Sequence, residues 1–169
     1  VTAAEPVRIQ VTATADHHAV EVPETALARR RQMIPIVGLR AEKEYALDVR
    51  AFDRSGEEVD RATTALTTGA LPDWIPEITV NGDETDRMAP GVTLFDIQRW
   101  GVTPPEGDPS GMLVAVDEQG EVVWYLRGDL GAGDSRMGQD GNIWYLFAPF
   151  GFKEVDLLGR RVGSWAWGG

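Results

Sequence analysis

Apolar and polar side chains alternate through much of the stretch that precedes Gly69. Val7, Ile9 and Val11 are interleaved with Arg8, Gln10 and Thr12, and Tyr45, Leu47, Val49 and Ala51 alternate with polar positions such as Asp48 and Arg50. That period of two predicts half-buried β-strands. Ala15-Asp16-His17-His18 predicts the turn between the first two strands, and Asp53-Arg54-Ser55-Gly56 the turn into a Thr-rich strand from Arg61 to Thr68. Helix is a poor competitor here. Only Glu24 to Gln32, with Ala26, Leu27 and Ala28, predicts a short helical turn.

The second half carries an internal repeat. Val116-Asp117-Glu118-Gln119-Gly120-Glu121-Val122-Val123 recurs as Val155-Asp156-Leu157-Leu158-Gly159-Arg160-Arg161-Val162, with four identities in register. Each copy reads as a strand, an Asp-x-x-Gly turn and a returning strand that ends in Trp124-Tyr125-Leu126 or Trp165-Ala166-Trp167. Between them Gln139-Asp140-Gly141-Asn142 leads into a further strand, Ile143 to Phe147. Several short strands in a period of about 40 residues, as the step from Val116 to Val155 gives, are the signature of β-propeller blades. A pair of unrelated hairpins in a sandwich also fits two copies, whereas the uneven spacing disfavours a solenoid. The turn glycines are read structurally, as residues that accept positive φ, and the turn aspartates as braces.

Composition sharpens the division. Residues 1–71 hold 9 basic and 11 acidic side chains, residues 72–169 hold 7 and 16, and all six tryptophans lie in the later stretch. With Gly69-Ala70-Leu71-Pro72 and Pro76 at the junction, this predicts two domains, 1–72 and 73–169. The net charge of −11 argues against nucleic acid or anionic lipid as partner. Absence of cysteine removes disulfide, thiolate-zinc and thiol-nucleophile chemistry. No apolar run approaches the ~18 residues of a transmembrane segment. The Val-Thr-Ala-Ala-Glu-Pro start fits a processed export precursor or a trimmed chain. A periplasmic or extracellular home is the expectation.

Chemistry-bearing residues are few. His17 and His18 are neighbours that an extended chain points to opposite faces, and no third ligand stands at a recognisable spacing, so a solvated turn is expected rather than a metal site. Arg29-Arg30-Arg31 reads as a charged edge that resists pairing before it reads as an anion site. Glu57 to Asp60 reads as a solvated turn. Asp129, Asp134 and Asp140 match no calcium loop of defined geometry. Arg127 and Arg136 stand near repeat loops, where they face either a central channel or, more simply, water. No catalytic, cofactor-binding or metal-binding residue is assigned.

Two resemblances follow from the residues. Gly38-Leu39, followed by Tyr45 six residues after the leucine, together with Thr67-Thr68-Gly69-Ala70-Leu71-Pro72, resembles a reduced fibronectin type III-like sandwich. There the equivalent tyrosine keeps its ring in the core and bonds its hydroxyl to backbone upstream; an ordinary buried strand tyrosine is the plainer reading. The ordered runs Thr68 to Pro72, Ala89-Pro90-Gly91-Val92-Thr93-Leu94-Phe95, Leu113 to Tyr125 and Asp140-Gly141-Asn142-Ile143 are similar to the opening of bacterial arylsulfotransferases, over roughly residues 35–169. The resemblance implies an all-β chain in which a small sandwich leads into the first blades of a truncated β-propeller. It also implies an exported transferase that moves a sulfuryl group between phenols through a transiently sulfated histidine, with no cofactor.

That chemistry needs an imidazole nucleophile and groups that hold the sulfate oxygens. His17 and His18, the only histidines, match none of the family's catalytic positions, which the resemblance puts on later blades. The stretch from Glu77 to Gly169 supplies about two blades, whereas a propeller takes at least four of ~40–45 residues. The chain is therefore expected to be the N-terminal portion of a longer polypeptide, or else a non-catalytic accessory subunit of an extracytoplasmic assembly. Either way, the rest of the propeller or another subunit is expected to pack on the Trp144, Trp165 and Trp167 side. A homodimer is also open to it.

Overall fold

A computed structural model of the chain describes residues 1–81, 90–99, 101, 103–128, 131–147 and 150–168. Ala89 of the motif series and Asp129 of the acidic set lie outside the described residues. The described residues form β-strands joined by turns and loops, with no helix, and the sheets are antiparallel. The chain divides into two compact units, Val1–Leu71 and Pro72–Gly169.

In the first unit, β1 (Thr2–Ala15) is the central strand. It pairs with β2 (His18–Val22), β3 (Arg29–Arg31) and β4 (Glu44–Phe52), and β4 pairs with β5 (Glu58–Thr67), giving the order β2-β1-β4-β5 with β3 branching from the start of β1. Alternation along β1 sets its two faces: Val7, Ile9, Val11, Ala13 and Ala15 are buried, and Arg8, Gln10, Thr12 and Thr14 between them are not. Val7, Ile9, Val11 and Ala51 pack with Ile34, Ile36 and Val49, while Ala13, Ala15 and Tyr45 pack with Val20, Leu39 and Leu47. The segment after β3 thus covers the apolar face of the sheet. The helical turn expected within Glu24 to Gln32 is absent: Arg29–Arg31 is a strand instead. Its register pairs Thr2 with Arg31 and Val7 with Arg29, and Gln32 clamps the join, donating its backbone N–H to Val1 O and its Nε2 to Val7 O. A lone helical turn gives few hydrogen bonds for the residues it fixes, so a strand beside β1 satisfies more of the backbone.

The second unit holds two antiparallel sheets among its described residues. β6 (Thr93–Gln98), β7 (Gly111–Val116) and β8 (Val122–Gly128) form one. The other is a meander of β9 (Ala132–Met137), β10 (Ile143–Phe147), β11 (Gly151–Val155) and β12 (Arg161–Ala166). Leu113 of the first sheet and Ala132, Ile143, Tyr145 and Val155 of the second make one core, with Leu94, Trp124, Leu126, Phe147 and Leu157 packed on it. The two sheets therefore lie face to face.

The sequence repeat is structural as well. Register in the β7–β8 hairpin pairs Leu113 with Leu126 and Ala115 with Trp124; in the β11–β12 hairpin it pairs Phe152 with Trp165 and Glu154 with Gly163. Each residue of the second set follows its counterpart by the same step that separates Val155 from Val116. Even the irregularity is shared, between Ala115 and Val116 in one hairpin and between Glu154 and Val155 in the other.

Candidate functional site

Turn chemistry accounts for much of what the sequence singles out. Asp117 Oδ1 accepts the backbone N–H groups of Gln119 and Glu121, each at 3.0 Å, and Asp156 Oδ1 accepts those of Leu158 and Arg160, each at 2.9 Å. The same arrangement occurs in the first unit, where Asp53 Oδ1 accepts from Ser55 and Glu57. Gly56, Gly120 and Gly159 hold φ of +88°, +83° and +73° at the fourth position, the left-handed region that glycine enters without a Cβ penalty. In the Gly138 to Asn142 turn glycine stands where the aspartate would be, and Asp140 Oδ1 takes the N–H of Asn142. Hydrogen bonding holds Asp53 and Asp156 below the ordinary carboxylate value. For Asp53 the leading cause is the Ser55 hydroxyl, followed by the Glu57 N–H. For Asp156 desolvation pushes upward, and bonds from the Arg160 and Leu158 amides and the Arg160 guanidinium outweigh it.

The histidines belong to a corner of the first unit. Tyr45 is fully buried, and its hydroxyl accepts the Arg40 backbone N–H at 2.9 Å. The His18 ring meets Tyr45 edge-on at 6.1 Å between centroids, and its Nε2 lies 2.9 Å from Gly38 O. Thr68 closes the same corner, its hydroxyl donating to Arg40 O at 2.7 Å and accepting the Lys43 N–H at 3.0 Å. His17 is exposed in the β1–β2 turn, where Asp16 has φ +50°. The two imidazoles are thus not brought to one site.

The remaining candidates are dispersed. Arg29, Arg30 and Arg31 are exposed along β3, with Arg30 3.2 Å from Glu5. Arg136 is exposed on β9, 3.5 Å from Asp134, and Arg127 is exposed on the face of β8 opposite Trp124. Asp140 is tied to Asn142, whose Nδ2 also donates to the buried Glu154 at 2.7 Å. Among the described residues no three His, Asp or Glu side chains gather as a metal site. An open groove of about 580 Å³ in the first unit, lined by Val11, Ile34, Ile36, Leu47 and Val49 among others, presents mostly aliphatic surface. Among the described residues no helix is long and apolar enough to cross a membrane.

One surface gathers distinctive side chains: the face of the second sheet turned away from the first. Strand alternation sends Ile143, Tyr145 and Val155 toward the first sheet, and Trp144, Leu146, Phe152 and Glu154 outward. Trp144 and Trp165 stack with centroids 4.7 Å apart and planes 22° apart, while Phe152 and Trp167 meet edge to face at 5.2 Å. Trp165 and Trp167 remain 47% and 56% exposed. Trp144 is half-buried beneath its partner. Register was the missing signal: Gly163 lets the Trp165 ring fold over it, which hydrophobicity along the chain does not reveal. Such a surface suits apolar docking. No family model, curated protein or solved structure matches the chain.

Proposed function

We propose that the chain is the scaffold portion of an arylsulfotransferase-like protein of the periplasm or extracellular space, a fibronectin type III-like module leading into propeller blades. In this reading sulfuryl transfer between phenols is carried out by histidine and anion-holding groups supplied outside residues 1–169. The observation that supports it best is the repeat at the level of structure: two hairpins one repeat apart, with one register, one irregularity and one aspartate-braced turn, in sheets stacked face to face. Successive blades of a propeller are related in that way. The Tyr45 hydroxyl bonded to backbone upstream supports the sandwich half of the reading.

The test is transfer itself. Protein purified from the cells that make it, given a chromogenic aryl sulfate, is expected to release phenolate only when a phenolic acceptor is present. Well-folded protein that transfers nothing removes the enzymatic reading. A second reading, a non-catalytic accessory subunit, is favoured by the placement of the two histidines, His18 engaged in the Tyr45 corner and His17 apart from it in an exposed turn. Intact mass separates the two: 18.5 kDa supports the accessory subunit, whereas ~45 kDa or more leaves room for at least four blades beside the first unit.

A further inference from the structure

We propose that the outer face of the second sheet, built on Phe152, Glu154, Gly163 and Trp165, is a docking surface for a third antiparallel sheet carrying the same strand, Asp-x-x-Gly turn and strand. The proposal rests on the assembly side of the reading above and not on its sulfuryl-transfer side, so an inactive protein leaves it standing.

The repeat carries the covered face of the first hairpin onto the outer face of the second. In the first hairpin Leu113, Ala115, Trp124 and Leu126 form the face on which the second sheet lies: Leu113 is completely buried, and Trp124 and Leu126 pack on the shared core. The covering sheet also reaches over with its turn. Trp124 Nε1 donates to Leu157 O at 2.8 Å, and Gly159 lies against Leu126. Moving each position by one repeat gives Phe152, Glu154, Gly163 and Trp165, paired in the same register. Among the described residues this face lacks the cover its counterpart has, and Trp165 is half-exposed where Leu126 is packed. Trp165 folds over Gly163, into the space that the side chain of Trp124 takes in the first repeat, so the second face is flat, aromatic and ready for a sheet and its turn.

The opposite end of the stack is covered over β7, though Tyr125 and Arg127 of β8 stay exposed there, and that cover restricts the occupant. Met112 and Val114, on the other face of the first sheet, are completely buried, and Tyr125 beside them meets Trp74 edge-on at 5.5 Å. Val80 lies against Gly120 on that side. Head-to-tail stacking of a second copy through its first sheet would have to displace this cover. A sheet of the same repeat without such a segment fits, because the existing interface between the two sheets already joins that inner face to this outer one.

A photoreactive benzoyl-phenylalanine in place of Trp167, in the protein expressed by the cells that make it, tests the proposal after irradiation and peptide mapping. Adducts are expected on strand residues flanking an Asp-x-x-Gly hairpin of the covering sheet. Trp165→Leu, which copies Leu126, is expected to keep the adduct yield within about twofold. Trp165→Asp is expected to lower it at least tenfold while the second unit keeps its folded circular dichroism. Adducts confined to a second copy of this chain, adducts on polypeptide without that hairpin, no adducts, or an Asp variant as efficient as the parent each overturn the proposal.

Discussion

At the scale of single residues the recurrent unit is an aspartate that holds a five-residue turn through one carboxylate oxygen. Asp53, Asp117 and Asp156 each accept the amides two and four residues on, so these N–H groups need no strand partner. Asp117 is buried, and replacing it by alanine is expected to cost about 1–2 kcal/mol in urea unfolding, since two amides lose their acceptor. Restoration by Asn, which keeps a side-chain oxygen, separates this from loss of charge. The depressed carboxyls of Asp53 and Asp156 carry a pH signature. A folded pKa below the unfolded value of 3.8 means a stability contribution that is complete above 3.8 and is lost as pH falls from there through the lower folded value. Melting temperature is therefore expected to fall in that acid range, and less steeply when Asp53 and Asp156 are both replaced by Asn; identical slopes would contradict the assignment. The Asp-x-x-Gly spacing made these turns legible in the sequence, because every group involved is local. The partner of His18 was not legible: Gly38 O is 20 residues away and meets the ring only once the sheet has formed.

Elements were legible where alternation was clean and obscure where pairing alone made them. Val7, Ile9 and Val11 announce β1, and the Ile143 to Phe147 strand is where its sequence puts it. β9 reads Ala-Gly-Asp-Ser-Arg-Met, which has no strand pattern. It is a strand because β10 offers an unpaired edge, and Gly131 and Gly133 let the Gln98 side chain approach, its Nε2 donating to Ala132 O. Glu24 to Gln32 failed the other way, its modest helical pattern yielding to the open edge of β1. Two glycines contrast the forces involved. Gly151 has φ +149°, and a Cβ there would run into the carbonyl of Trp165, which is backbone and cannot swing aside. Gly151→Ala is expected to destabilise the second unit by roughly 2–3 kcal/mol and to loosen the β11–β12 pairing first. At Gly133 the nearest atoms belong to the end of the Gln98 side chain, which can move, so Gly133→Ala is expected to cost only about 1 kcal/mol. Hydrogen exchange of the Gly151–Val155 amides, together with urea midpoints for both variants, checks the order. Equal costs would show that the Trp165 carbonyl does not constrain the strand.

At the scale of the molecule the two units differ in what holds them. Val1–Leu71 has its core on one sheet face, with an open groove along Leu47 and Val49, and a polar opposite face, with Tyr45 pinning the corner. The Pro72–Gly169 unit keeps about half of two indoles in water, roughly 100 Å² each, so covering them would contribute on the order of 5 kcal/mol. That is a large share of ordinary domain stability, and the second unit alone is expected to self-associate. The first unit leaves no indole in water. A fragment of residues 1–71 is therefore expected to fold alone, as chains of that size can, and to unfold in urea in one cooperative step followed by far-ultraviolet circular dichroism, with a slope of about 1 kcal/mol/M. Tyr45→Phe in that fragment leaves the Arg40 N–H without its acceptor and is expected to lower stability by about 1–2 kcal/mol at unchanged slope. All six tryptophans lie outside the fragment. In residues 1–169 tryptophan emission therefore reports the second unit alone, and the Tyr45→Phe shift should appear in circular dichroism while leaving the emission transition in place. A disordered 1–71 fragment, or an emission midpoint that moves with the Tyr45 substitution, would mean that the two units fold as one.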